Sequence, residues 1–351
     1  MKLTNILTRL LNKIKPVLPW LKQPLQAGAS LGERIQAALN AWRERSRKTA
    51  KEDISHTLPA QAYGGSRSRQ YLVHIPRANT GQQPRPLVVV LHGCRQDNRD
   101  IEAISGFNQL SDRHGFLVAY PFVTGYRGLR ALNCWGWWVK REIQAGAGEV
   151  EDLWQIVEEI KRNYHIDTQR IHVTGLSSGA GMAVAMMVAH GDKVASGAAV
   201  AGVPYSERPQ AVRHMFNPFP RYKPLSSIVS AMKAEMGDLA RTVPLQIIHS
   251  KDDQTVGIQS AKNLRDSWGR CFGINTQESY NVSNGSVGST DWEHRKYRKD
   301  DDQSFIETMF LSGPGHGWYG GNPGNYSYPE APDISKYIWK FFDSHPLAVS
   351  N

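Results

Sequence analysis

Residues 171–181 limit the folds open to this chain more than any other stretch. They read Ile-His-Val-Thr-Gly-Leu-Ser-Ser-Gly-Ala-Gly, a β-branched run closed by Gly-x-Ser-x-Gly. A small-residue helical pattern follows over 180–189. Strand, tight turn and helix in that order lift one serine hydroxyl above a strand end. The same turn sets the next backbone amide at a helix N-terminus, where unpaired N–H groups and the helix dipole favour an anion. Ser177 is therefore the candidate nucleophile, and the Ser178 amide a candidate oxyanion donor. The competing reading is a purely structural strand-to-helix turn, so the partners decide. A serine hydroxyl needs a histidine base, and the histidine needs a carboxylate to orient it.

The partners follow in the order such a turn requires, nucleophile, then acid, then base. Residues 243–249 form an apolar strand pattern that runs into Ser250-Lys251-Asp252-Asp253. A carboxylate just past that strand is the acid, and spacing alone leaves Asp252 and Asp253 both open. Residues 304–310 read as a later strand leading into Ser312-Gly313-Pro314-Gly315-His316-Gly317-Trp318. Glycines on both sides of His316 let the backbone bring the imidazole in close, which makes His316 the candidate base.

The rest of the pattern is an α/β alternation. Residues 86–91 are an unbroken apolar run, as in a strand buried on both faces, ending in His92-Gly93-Cys94. The Cys94 amide is the second candidate oxyanion donor, and His92 reads as a structural turn residue. Residues 69–75 read as an edge strand, 101–114 as one helix, 116–121 as a strand and 151–164 as an amphipathic helix. Further strands are expected at 194–202 and, about a Gly/Ser turn, within 280–298. Helices are expected at 261–272 and 333–342. Three tryptophans in the glycine-rich segment 122–149 (Trp135, Trp137, Trp138) suit either a cleft wall or core filling. Residues 207–240, with four prolines, read as an irregular insertion and a candidate cap. The architecture implied is a mostly parallel sheet covered on both faces.

Charge divides the chain. Residues 1–53 carry a net charge of +7 out of +10 for all 351 residues. Apolar Leu3, Ile6, Leu7, Leu10, Leu11 and Ile14 recur at helical spacing between lysines and arginine up to Pro16. Residues 1–60 are thus a basic amphipathic extension, and 61–348 the catalytic domain. Residues 1–52 are a candidate anchor to a membrane or polymer-granule surface, with a loosely packed solvated extension as the alternative. The body has no basic stripe, so nucleic acid is not an expected partner. No secretory leader pattern is read in this stretch, and the expected location is cytoplasmic or peripheral to such a surface. The chemistry calls for neither metal nor organic cofactor. Three cysteines cannot make a disulfide scaffold; Cys94 and Cys134 could pair, leaving Cys271.

Taken together, Leu91-His92-Gly93-Cys94-Arg95-Gln96, Asn133-Cys134-Trp135, Gly175-Leu176-Ser177-Ser178-Gly179, Ala201-Gly202-Val203-Pro204-Tyr205 and His316-Gly317-Trp318-Tyr319-Gly320-Gly321 carry a resemblance. Over residues 65–345 the chain resembles polyhydroxybutyrate depolymerase-type esterases of the α/β-hydrolase fold, near the feruloyl and acetylxylan esterases. The resemblance places a His-x-x-x-Asp-x-x-Val loop on residues 249–256, which selects Asp253 over Asp252. It also implies a Cys94–Cys134 bridge. Trp135, Trp318 and Tyr319 are the expected substrate-binding residues. The implied activity is serine-esterase hydrolysis of short-chain or hydroxyalkanoate esters, small or polymeric. A feruloyl or acetylxylan esterase is the first alternative, and a non-catalytic surface-binding protein the second. The chain departs from the family pattern at Arg95, usually Thr, and at Gly136, often Asn.

Overall fold

A computed structural model describes residues 54–77, 83–123, 132–213, 219–239, 241–299 and 304–347. The amphipathic helix expected up to Pro16, and the anchoring role of residues 1–52, lie outside the described residues. Among the described residues no helix is long and apolar enough to cross a membrane.

Ten strands form one sheet. In chain order they are β1 (Ile54–Leu58), β2 (Arg69–His74), β3 (Arg85–Leu91), β4 (Leu117–Pro121), β5 (Ile166–Leu176), β6 (Ser196–Val200), β7 (Leu245–Ser250), β8 (Asn281–Val287), β9 (Thr290–Arg298) and β10 (Ser304–Ser312). Their spatial order is β1-β2-β4-β3-β5-β6-β7-β10-β9-β8. The six central strands, β4 to β10, are mutually parallel, and the pair at each edge runs antiparallel.

The helices of the body are α1 (Asn98–Ser105), α2 (Phe107–His114), α3 (Gly148–Asn163), α4 (Ser178–Ala189), α5 (Leu225–Met236), α6 (Ile258–Phe272) and α7 (Ile334–Asp343). Leu87, Val89 and Leu91 of β3 join the core under α3 to α6, whereas Val88 and Val90 join the core under α1, α2 and α7. Apolar burial on both faces explains why β3 reads as an unbroken hydrophobic run.

Three expectations change. Ile54–Leu58 pairs along its whole length with β2, so β1 is the edge strand and the body begins at Ile54 rather than residue 61. The run Ile-Ser-His-Thr-Leu is only five residues long and directly follows a charged segment, which masks its strand character. The single helix expected over 101–114 is two, because Gly106 at φ 72° closes α1 and opens α2. Within 207–240, Leu225–Met236 is an ordinary crossover helix that buries Ile228, Met232 and Met236. Its packing partners are α4 and α6, so this half of the insertion is not a cap. The two strands expected within 280–298 are present as β8 and β9, joined at Gly288 and Ser289, and β8 leaves Val282 and Val287 open to solvent.

From β3 the chain passes outward to β4, then returns to β5 on the other side of β3. Loops leaving β3 and β5 therefore diverge from adjacent strands, with Leu91 beside Gly175. In open α/β sheets this switch in direction, at the carboxyl ends of the strands, is where ligands bind.

Candidate active site

Ser177 follows β5 with φ 56° and ψ −115°, a region that residues with a Cβ seldom occupy. Its surroundings impose this conformation. The Ser177 N–H donates to the Val200 carbonyl at 2.9 Å, and its own carbonyl accepts from Gly181 N–H at 3.0 Å. A Cβ at Gly175 would stand 2.5 Å from the Gly179 carbonyl carbon and 2.8 Å from Leu91 O. One at Gly179 would overlap the carbonyls of Leu91 and His92. Both glycines are required because the turn is pressed against the end of β3. Across residues 171–188 Ser177 is the one residue that is not buried.

The oxyanion donors proposed from sequence flank this point. The Ser178 amide opens α4, and Cys94 follows the β3 turn. Neither amide donates to an acceptor among the described residues. The Cys94 turn is held from several sides. Gln96 Oε1 accepts from Gly93 N–H at 2.9 Å, and Arg95 N–H donates to Leu132 O at 2.6 Å. Cys94 and Cys134 are disulfide-bonded, and Cys271 is a free thiol. His92 is a bolt rather than a base. Its Nδ1–H donates to Gly93 O at 2.8 Å, and its Nε2 accepts from Val123 N–H at 3.3 Å. Complete burial lowers its pKa to about 4, so the ring is neutral.

On the other side, Asp253 and His316 meet. His316 Nδ1 lies 2.6 Å from Asp253 Oδ2. Asp253 Oδ1 accepts from the amides of Thr255 and Val256 at 2.8 and 2.9 Å. Burial opposes charge on this carboxyl, but the His316 hydrogen bond, the nearby His249 and the backbone donors outweigh it and hold its pKa below the usual value. A carboxylate only accepts, so Nδ1 of His316 carries the proton and Nε2 is left as the basic nitrogen. His249 is buried and donates through Nε2 to Val256 O at 2.6 Å, which fixes the acid loop. Asp252 takes a different part: its Oδ2 accepts the Gly313 N–H at 2.7 Å. Ser177, Asp253 and His316 thus follow β5, β7 and β10, all at carboxyl ends of parallel strands.

The three residues expected to contact substrate do not line a cleft. Trp135, Trp318 and Tyr319 are each fully buried. Trp135 packs at a tilt against His92 and donates from Nε1 to the His92 carbonyl at 3.0 Å, while Trp318 packs on Phe107 and donates to Ser335 Oγ at 3.1 Å. Tyr319 Oη sits between Ser250 N–H and Gly315 O. Large aromatic surface was best buried in the loop bases, so these rings brace the site from below.

Sequence reasoning passed over the buried charges that hold the tryptophan segment. Glu149 Oε2 accepts from Gly136 N–H at 2.6 Å, and Arg69 bonds Asp152 through Nε at 2.8 Å with Glu149 3.8 Å away. All three charged side chains are fully buried. Their signal was present: Arg69 on an inward strand position, and Glu149 and Asp152 on the buried side of α3.

The family profile described as "Esterase PHB depolymerase" matches residues 70–279. Poly(3-hydroxyalkanoate) depolymerase C of Paucimonas lemoignei is 32% identical over 257 residues, covering 71% of this chain and 58% of that protein. A probable acetylxylan esterase A of Aspergillus flavus is 27% identical over 211 residues, covering 58% of this chain and 66% of that one. The chain thus spans less than two thirds of either relative. Among solved structures, the acetyl xylan esterase from Aspergillus awamori superposes with a TM-score of 0.63 at 18% identity, over 83% of this chain and 99% of that one. That likeness is one of fold, and it is the α/β-hydrolase fold.

Proposed function

The chain belongs to the PHB depolymerase esterase family, and from that premise we propose that it hydrolyses hydroxyalkanoate and other short-chain esters through Ser177, His316 and Asp253. The carrying observation is the 2.6 Å contact between His316 and a buried, ionised Asp253, at the same carboxyl end of the parallel strands as the strained Ser177 turn.

In this reading His316 Nε2 takes the Ser177 proton as Oγ adds to the ester carbonyl. The Cys94 and Ser178 amides receive the negative oxygen that forms. His316 then gives its proton to the departing alcohol oxygen as the tetrahedral centre collapses to an acyl-serine. Water attacks that acyl group with His316 again as base, and the acid leaves with Ser177 restored. Asp253 stays ionised throughout and stabilises the imidazolium.

The hydroxyalkanoate preference is supported by the higher identity to the depolymerase than to the acetylxylan esterases. Activity on hydroxybutyrate oligomers above that on methyl ferulate and acetylated xylan is the expected result; the reverse order assigns the carbohydrate-ester activity instead. Ser177→Ala should abolish p-nitrophenyl butyrate hydrolysis, by about 10⁶-fold in kcat, without loss of fold. Activity near wild type would refute the mechanism. The basic segment 1–52 supports attachment to an anionic membrane or granule surface. Deleting it should abolish co-sedimentation, and unchanged partitioning would remove this part of the reading.

A further inference from the structure

We propose that Ser250, Asp252 and Tyr319 form a positioning clamp that fixes where the His316 ring stands. The inference rests on the esterase reading above and deepens it.

The loop ahead of His316 has little stiffness of its own, since Gly313, Gly315 and Gly317 lack a Cβ and Gly313 sits at φ 110°. Each of its three residues before the histidine is nevertheless gripped by a side chain. Gly313 N–H donates to Asp252 Oδ2 at 2.7 Å. The Pro314 carbonyl accepts from Ser250 Oγ. The Gly315 carbonyl accepts from Tyr319 Oη at 3.2 Å.

The three grips are linked. Tyr319 Oη also accepts the Ser250 N–H at 3.2 Å, and Ser250 Oγ accepts the Asp252 N–H at 3.0 Å. Ser250 and Tyr319 are completely buried, so releasing either leaves unpaired polar groups away from water. Burial, together with the nearby Asp253 charge, holds the Tyr319 phenol far above its usual pKa, so it remains a donor at any working pH.

Division of labour between neighbours follows. Asp253 holds the ring of His316, while Asp252 holds the backbone that carries it. If the clamp slackens, Nε2 wanders relative to Ser177 Oγ, and displacements on the order of 1 Å are worth about 10²-fold in rate.

Tyr319→Phe keeps the buried ring and removes only Oη. It should lower kcat for p-nitrophenyl butyrate about 10- to 100-fold with KM unchanged, and displace the acid limb of kcat/KM against pH. Asp252 is exposed, so its variants test the clamp even if Tyr319→Phe fails to fold. Asp252→Ala should lower kcat in the same way. Asp252→Asn, which keeps a carbonyl oxygen for Gly313 N–H, should restore most of the loss. Proton NMR on the substrate-free protein gives an independent readout. The downfield Nδ1–H resonance of His316 should shift or broaden in Asp252→Ala but not in Asp252→Asn. Wild-type kcat, pH profile and resonance in Asp252→Ala would overturn the clamp and leave the esterase reading standing. Failure of the wild-type protein to hydrolyse any ester would overturn that reading, while the resonance still decides the clamp.

Discussion

The loops that follow β3 and β10 are secured by opposite means. The loop after β3, which carries the Cys94 amide, is tied covalently to Cys134 and hooked by Gln96. The loop after β10, which carries His316, has no covalent tie; Ser250 and Tyr319 donate hydrogen bonds to it, and Asp252 and Asp253 accept hydrogen bonds from it. Static donors for a developing charge tolerate a rigid mount. A base that accepts and returns a proton needs a mount fixed in position but able to accommodate two charge states of the ring. In the proposed mechanism redox conditions would therefore act on the donor loop and proton balance on the loop of the base.

The strongest way to break the comparison is at the acid. Asp253→Asn keeps the shape but removes the charge that fixes the His316 tautomer, and kcat should fall by about 10⁴-fold. Steady-state hydrolysis of p-nitrophenyl butyrate checks this, and a loss below tenfold would return the acid role to Asp252. A smaller effect is expected on the covalent side. Bridging residues 40 apart restricts the unfolded chain by about 4 kcal/mol in the loop-entropy picture. Reduction with dithiothreitol, or Cys134→Ala, should lower the melting temperature. It should also lower kcat by up to about 10²-fold, as the Cys94 donor loosens. The Asp253–His316 geometry should not respond, and an altered His316 resonance on reduction would show that the two halves are not independent.

The smallest effect concerns pH and stability. Burial lowers the pKa of His92 to about 4 and of His172 to about 3, below the ordinary value near 6.5. The unfolded chain therefore binds these protons before the folded one does. Stability falls as pH drops from about 6.5 towards 4 and 3, and the depressed Asp253 acts in the same direction at lower pH. Urea unfolding at pH 7, 5.5 and 4.5 should show this decline. His172→Gln, which keeps a partner for Ser196 Oγ, should flatten it by about one proton. An unchanged slope would mean that His172 is already charged in the fold.

Much of this was legible in the amino-acid order. The strand–turn–helix around Ser177 announces itself because steric demands on Gly175 and Gly179 are local. The parallel sheet shows in the apolar run of β3 because both its faces are covered. Choosing Asp253 over Asp252 needed the family pattern, since adjacent carboxylates after one strand look alike until the loop they grip is known. The aromatic residues were misjudged for a related reason: Trp135, Trp318 and Tyr319 carry a polar handle, and whether it faces a ligand or a neighbouring carbonyl depends on contacts far away in the chain. Glu149, Arg69 and Asp152 stayed hidden because each reads as a surface charge until its two partners are placed beside it.

The backbone at residue 177 carries a last implication. A conformation disfavoured for any side-chain-bearing residue, by about 1–3 kcal/mol, is held there by β6, α4 and the end of β3 together. In the proposed mechanism durability and reactivity are thus set against each other at a single position: the residue that glycine would relieve is the proposed nucleophile. Ser177→Gly should therefore raise the melting temperature while removing the proposed nucleophile.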